Sequence, residues 1–91
     1  MSEVEPCKER FTVVVQLFAA AAQVAGRRHV LLEMLPGATL QDVRESLLII
    51  HPELAQLLLI SRWAIDMSFV SDNTLVTAES VVAMIPPVSG G

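Results

Sequence analysis

Two runs of alternating apolar residues near the start of the chain constrain its fold most. Within residues 11–18 and 28–35, apolar side chains fall at every second position. These positions are Phe11, Val13, Val15, Leu17, Val30, Leu32 and Met34. A period of two is typical of a strand with one buried side, so each run predicts a strand, and the two are expected to pair. Between them, Ala19 to Ala25 favours a short helix, which Gly26 can end in a left-handed C-cap.

The main helix is predicted between Thr39 and His51. Thr39 is a good N-cap residue, Asp42 favours the positive end of the helix dipole, and Pro52 disfavours helical geometry at His51. The residues at helical spacing that predict its apolar face are Leu40, Val43, Leu47 and Ile50. The residues predicted to face solvent are Gln41, Arg44 and Glu45.

The remainder of the chain predicts short elements. A second helical piece is expected from Pro52 to Ile60, with its Leu57–Ile60 run packed under the sheet edge or against a partner. Strand-like pieces follow at 63–66 and 68–70, then a turn at 71–74 and a last strand, Val81 to Ile85. Alternation also marks Met67, Phe69, Val82 and Met84, for which a core position is favoured over a place on a docking surface of the sheet. This order predicts an α+β domain with the main helix on one face of a mixed sheet.

Composition narrows the classes of function. Hydrophobic residues make up 53% of 91 residues, more than a small core hides, so an exposed apolar patch and a protein partner are expected. The net charge of −4 and the lack of a basic patch argue against nucleic-acid binding. A single cysteine, Cys7, allows no internal disulfide and suits a reducing compartment. His29 and His51 lack the companions of a metal site.

Residues 1–10 predict a disordered leader and not a secretory signal. The apolar stretch from Phe11 to Gly26 imitates a signal peptide, but the residues before it carry more acidic than basic side chains, the opposite of a signal sequence. No uninterrupted apolar run approaches the length of a membrane span. We therefore expect a cytoplasmic protein that does not bind membranes.

The last six residues predict a functional tail, 86–91, after a domain of residues 11–85. Pro86 and Pro87 should end the last strand and hold the exit extended, because proline lacks the N–H that a strand needs. Val88 and Ser89 continue the tail, and Gly90 and Gly91 leave its end without side chains. Such an end can enter a narrow channel in a partner, where its distinctive chemical group is the Gly91 carboxylate.

These features together resemble the ubiquitin-like β-grasp sulfur carriers, and most closely the small subunit of molybdopterin synthase. The resemblance covers residues 11–91, and its most specific part is the run from Ile85 to Gly91. Further likenesses are Leu17-Phe18-Ala19, Ala25-Gly26, the helix entry from Pro36 to Leu40, and His51-Pro52. The chain departs from the family at Asp66, where Asn is common, and at Thr77 to Ser80, where the family often has a glycine-containing turn.

The resemblance implies a carrier that is no stand-alone enzyme and binds no metal or cofactor of its own. In that family a ubiquitin-activating-type adenylyltransferase uses ATP to adenylate the terminal glycine, here Gly91. A sulfur donor protein then supplies the sulfur of a thiocarboxylate. The tail, residues 86–91, inserts into the large catalytic subunit of a heterotetramer, and the sulfur passes to cyclic pyranopterin monophosphate.

Three alternatives share the fold. One is the thiamine-pathway sulfur carrier, against which the diproline argues. Another is a ubiquitin-like modifier, joined through the same carboxylate to a lysine amine. The third is a β-grasp interaction module with an inert tail. A stand-alone enzyme is disfavoured because paired carboxylates, a Ser/His/Asp set and a phosphate-binding loop are missing from the sequence.

Overall fold

The structure, a computed structural model, describes residues 10–87 as a five-stranded mixed sheet with helices packed against it. The strands are β1 Phe11–Leu17, β2 His29–Met34, β3 Arg62–Ile65, β4 Ser68–Phe69 and β5 Val81–Ile85. The helices are α1 Ala19–Ala25, α2 Leu40–Ile50 and α3 Ala55–Ile60, with a 3-10 turn at Pro52–Leu54. The predicted leader falls almost wholly outside the described residues, and both domain boundaries stay predictions.

The strand order β2-β1-β5-β3-β4 places the first and last strands side by side at the centre of the sheet. β1 pairs with β5 in parallel, whereas β2 with β1, β3 with β5 and β4 with β3 are antiparallel. The predicted pairing of the first two strands is confirmed, with Val15 opposite Val30. The α+β class and the ubiquitin-like β-grasp arrangement expected from the sequence are also confirmed.

The core lies between one face of the sheet and α2. The strand residues with no exposed surface are Val13, Val15, Val82 and Met84, and those of α2 are Leu40, Val43 and Leu47. Burying one such side chain stabilises the fold by about 1.5–3 kcal/mol. Gly26 caps α1 at φ 74°, as predicted, and its N–H donates to the Ala22 carbonyl at 2.9 Å.

Several predicted core positions are wrong. Ile50 is 53% exposed because α2 ends there, and Leu54 of the following turn takes the next buried position. Met67 and Phe69 are exposed because they lie in and after a tight turn that leads to the two-residue edge strand β4. Of the Leu57–Ile60 run, Leu58 is buried but Leu59 and Ile60 project outward.

Arg44, predicted to face solvent, is half-buried. Its side chain crosses from α2 to Asp72, where the guanidinium meets the carboxylate at 2.6 Å. No local pattern indicates this pairing, because the partners are 28 positions apart. Among the helices of residues 10–87, none combines the length and the hydrophobicity needed to cross a bilayer.

Candidate functional site

The predicted tail leaves the sheet from its central strand. β5 lies between β1 and β3, with Met84 opposite Leu17 and Ile85 opposite Arg62. The N–H of Phe18 donates to the Met84 carbonyl at 3.3 Å. The chain then passes through Pro86, which is buried, to Pro87, which is exposed. The other predicted tail residues, Val88 to Gly91, lie outside the described residues.

The root of this tail is fixed by the core. Val82 and Met84 have no exposed surface, so β5 cannot shift along the sheet without moving the two best-buried side chains of that strand. Neither Pro86 nor Pro87 has an N–H to give to a neighbouring strand, and the described strand ends at Ile85. The predicted end of the strand at Ile85 is confirmed, whereas the extent of the tail stays a prediction.

Three arginines lie at the end of the sheet from which the tail departs. β2 and β3 begin there, at the end where β1 and β5 finish, because of the way the strands pair. Arg27 and Arg28 precede β2, and Arg62 begins β3. All three are exposed. They account for half of the chain's 6 Lys and Arg residues, so positive charge gathers at this end of a protein with net charge −4.

Sequence reasoning missed this cluster. In the sequence Arg27 and Arg28 form only an isolated pair, and no motif marks Arg62. The available signal was their position at the starts of predicted strands, since strands antiparallel to β5 begin where β5 ends. The Arg62 guanidinium also lies 4.6 Å from the centroid of the Phe69 ring, which orients it along the sheet surface.

The surface of the sheet that faces away from α2 carries apolar side chains beside the tail root. We call the residues Val14, Phe69, Val81, Ala83 and Ile85 the outer sheet face, because the strand register places them on one side. Phe69 is 61% exposed, Val81 is 38% exposed, and the other three are half-buried. The exposed apolar surface expected from composition is therefore present, and part of it adjoins the root of the tail.

The polar groups elsewhere act in the fold. Arg44 bonds Asp72, reaches the Leu58 carbonyl at 3.4 Å and lies 5.8 Å from the Trp63 ring centroid, which ties α2 to α3 and β3. His51 Nδ1 lies 2.8 Å from Glu53 Oε2, and this hydrogen bond lowers the pKa of the Glu53 carboxyl. Within residues 10–87, no group of three or more His, Cys, Asp or Glu side chains is arranged to hold a metal ion.

Known proteins resemble this chain along most of its length. The model described as the ThiS family matches residues 15–91. A molybdopterin synthase sulfur carrier subunit of Arabidopsis thaliana is 30% identical over 79 residues, which cover 87% of this chain and 82% of that protein.

Solved structures also share the fold. SAMP1 of Haloferax volcanii superposes with a TM-score of 0.80 at 27% identity, over 88% of this chain and 99% of that one. A chain from a complex of subunits 1 and 2 of molybdopterin-converting factor from Helicobacter pylori superposes with a TM-score of 0.67 at 21% identity, over 89% of this chain and 100% of that one. The architecture, the central tail root and these matches agree: the chain belongs to the ThiS family and is a ubiquitin-like β-grasp sulfur carrier.

Proposed function

We propose that this protein is the sulfur-carrier subunit of a molybdopterin synthase. The observation that carries the proposal is the match to the Arabidopsis sulfur carrier subunit, which extends over 87% of this chain. A Gly-Gly end that follows a strand in the centre of the sheet supports it. The partner in synthesis is a large catalytic subunit, with which the carrier forms a heterotetramer. The complex between subunits 1 and 2 of the Helicobacter converting factor supports such a partner.

The chemistry takes place at the Gly91 carboxylate. A carboxylate is a poor electrophile, so a ubiquitin-activating-type adenylyltransferase joins it to the α-phosphate of ATP and releases pyrophosphate. A hydrosulfide equivalent from a sulfur donor protein attacks this mixed anhydride and expels AMP, which leaves a thiocarboxylate on Gly91. The sulfur then passes to cyclic pyranopterin monophosphate in the large subunit. ATP is used by the activating partner, and the carrier holds no cofactor or metal of its own.

The tail is suited to this task by its length and its small end. Four residues beyond Pro87 reach at most about 14 Å, which is enough to enter a channel while the folded domain stays at its mouth. Pro86 and Pro87 limit the conformational freedom that is lost on insertion, with Val88 and Ser89 as the spacer. Side chains at Gly90 or Gly91 would obstruct entry into both partner sites.

The described surface supports docking at the tail root. The outer sheet face supplies apolar area, and Arg27, Arg28 and Arg62 supply positive charge at the same end. We propose that both meet the large subunit, with the arginines directed at acidic residues of that partner. Such charges speed association and fix orientation more than they raise affinity. We place the reaction in the cytoplasm.

The tail makes the first prediction. Gly91→Ala, or deletion of Gly91, should leave the unfolding transition unchanged, because the core ends at Pro86, and should abolish sulfur transfer. The measurement is intact mass after incubation with ATP, the adenylyltransferase and a sulfur source, where the native chain gains the mass of sulfur for oxygen on its C-terminal peptide. Leu75→Ser, at an exposed position away from the tail, is the matched control and should gain the same mass. Normal sulfur transfer by a folded variant that lacks Gly91 would contradict the proposal.

A ubiquitin-like modifier is the second candidate. It is favoured by the likeness to SAMP1, a small archaeal modifier protein, at 27% identity. In that case the activated Gly91 would join a lysine amine and give an isopeptide-linked adduct on another protein.

The thiamine-pathway carrier also shares the family, and adding the large subunit and the pterin precursor to the same assay distinguishes it from a synthase subunit. Loss of the thiocarboxylate on that addition, with product formed, supports the synthase role.

A further inference from the structure

The strand β2 is an edge strand of the sheet, and one of its two sides is unpaired. It pairs only with β1 among residues 10–87. The Leu17 amide donates to the Arg28 carbonyl at 2.8 Å, which fixes Arg28 as a residue whose main chain faces β1. In an antiparallel ladder this orientation alternates, so the N–H and C=O groups of His29, Leu31 and Glu33 point away from β1. Six main-chain groups are thus directed outward along a regular strand.

This edge lacks most of the features that normally prevent strand pairing. Natural edges are interrupted by proline, by bulges or by inward-pointing charges. β2 contains no proline, and its register with β1 runs without a break from His29 to Met34. Leu31 is the middle one of the three residues whose main-chain groups point away from β1, and it is 64% exposed. The two polar residues that flank it, His29 and Glu33, are both exposed, and an imidazole N–H can donate to a carboxylate.

We propose that β2 pairs antiparallel with β2 of a second copy of this chain, about a two-fold axis at Leu31. In that register Leu31 meets the Leu31 of the second copy, and His29 meets Glu33 in both directions. The same three residues have outward main-chain groups, so all three facing pairs are hydrogen-bonded pairs and form about six bonds. The order His, Leu, Glu is therefore self-complementary in hydrogen bonding, because an imidazole faces a carboxylate at both ends and leucine faces leucine at the axis, which selects a second copy over an unrelated strand.

The helix side of this edge is apolar as well. Ile49 is 80% exposed and Ile50 is 53% exposed, at the end of α2. An open depression of about 380 Å³ lies between them and β2, lined also by Leu31 and Leu32. A two-fold axis perpendicular to the sheet keeps both α2 helices on one side, so each pair of isoleucines approaches the other across the axis. Self-pairing would thus cover the side chains that the single domain leaves exposed here.

This dimer leaves the tail root accessible. β1 separates β2 from β5, so Pro86 lies about 10 Å from the paired edge in the direction across the strands. Within the outer sheet face, Val14 lies opposite Leu31, whereas Phe69 is farther away, on the opposite side of β5. The inference therefore does not depend on the proposed function, and the failure of either would leave the other unaffected.

Sedimentation velocity of the full chain between about 1 μM and 1 mM, a range that spans weak to moderate affinities, tests the proposal. We expect the mass to double as concentration rises. Leu31→Lys places like charges at the axis and should give a monomer at every concentration. Leu75→Lys is the matched control, since Leu75 is 63% exposed and lies away from β2, and it should associate as the native chain does. A native chain that stays monomeric throughout, or equal effects of the two variants, would overturn the proposal.

A charge exchange tests the register. His29→Glu puts a second carboxylate opposite Glu33 at both ends of the paired strands, and Glu33→Lys removes the acceptor for His29. Each variant alone should therefore dissociate about tenfold more readily. When the two variants are mixed, the carboxylate introduced by His29→Glu faces the ammonium introduced by Glu33→Lys, and the other facing pair keeps its native residues. A mixed dimer should thus form with nearly native affinity.

The substituted positions are exposed, so unchanged melting of the variants would exclude unfolding as the cause of dissociation. Association of either single variant at native affinity would contradict the register.

Discussion

Met67 occupies a strained backbone at the tip of the hairpin between β3 and β4. Ile65 pairs with Ser68, so Asp66 and Met67 form a two-residue turn, and their φ angles are 51° and 72°. Both central residues of such a turn need positive φ, a conformation that favours Asn, Asp and Gly. Asp66 suits it, and its Oδ1 also accepts the Val81 N–H at 3.2 Å. Met67 suits it poorly and is 98% exposed, so its side chain contributes little packing in return.

Met67→Gly should therefore stabilise the fold. Relief of the left-handed strain gains about 1–2 kcal/mol, and the greater freedom of glycine in the unfolded chain offsets part of that gain, for a net of about 0.5–1 kcal/mol. Thermal unfolding should show a midpoint higher by about 3–6 °C. Leu75→Gly is the control, because Leu75 is also exposed but has no positive φ, and it should lower the midpoint. A lower midpoint for Met67→Gly would contradict the strain.

At the scale of elements, the start of α2 is held by both its own cap and a distant loop. The Thr39 N–H donates to Asp42 Oδ2 at 2.9 Å, and the Asp42 N–H meets Thr39 Oγ1 at 3.5 Å, which completes a capping box. The next two amides of the helix, at Leu40 and Gln41, donate to the carbonyls of Thr74 at 2.9 Å and Asp72 at 3.0 Å. The loop that leads toward β5 thus accepts hydrogen bonds from the main-chain N–H groups at the start of α2.

Asp42→Ala should destabilise the fold by about 1 kcal/mol, because it removes an acceptor for the Thr39 N–H and a negative charge near the helix N-terminus. Asp42→Glu keeps both features and should stay within about 0.5 kcal/mol of the native chain. Urea unfolding monitored by the fluorescence of Trp63, a buried residue, gives the free energy of unfolding for each variant. Equal stability of the alanine and glutamate variants would show that the loop contacts alone hold the helix end.

Local patterns predicted these elements because the information lay within a few residues. Alternation identified β1 and β2, and Thr39 with Asp42 identified the start of α2. The errors arose where a distant contact or a chain reversal decided the outcome. Ile50 obeys helical spacing, yet α2 ends there and its side chain stays 53% exposed. Phe69 continues an alternating pattern, but its strand has two residues at the edge of the sheet, with no layer to cover its outer side.

The Thr77–Ser80 turn illustrates the same limit. The sequence predicts a turn with fewer glycines than the family has, and the structure closes it with hydroxyl groups. The Ser80 N–H donates to the Thr77 carbonyl at 3.0 Å, and the Thr77 N–H donates to Ser80 Oγ at 2.9 Å. Ser80 is buried, and its hydroxyl supplies a hydrogen bond within the turn in place of a main-chain group. Residue types alone did not indicate which of these groups would meet.

At the scale of the whole molecule, exposed apolar groups lie on both faces of the sheet and on α3. The outer sheet face adjoins the tail root, Leu31, Ile49 and Ile50 surround the β2 edge, and Leu59 and Ile60 project from α3. Composition predicted that such surface exists but not where it lies, because location depends on which side of each element the core covers. Under the proposed function, the large subunit must hold the domain where the tail can reach. The apolar area nearest the tail root is therefore the one that should carry docking energy.

Phe69→Ser should accordingly weaken binding to the large subunit about tenfold, because a large exposed aromatic at a docking surface is a frequent source of binding energy. Leu59→Ser, on α3, removes a comparable apolar side chain that is 79% exposed, and its affinity should stay within about threefold of native. Titration calorimetry of each full-length variant against the large subunit gives the two dissociation constants. Neither side chain is buried, so melting should change little for both variants. If Leu59→Ser weakens binding more than Phe69→Ser, the large subunit docks on the helices, and the short tail would then have to reach its channel from the opposite side of the sheet.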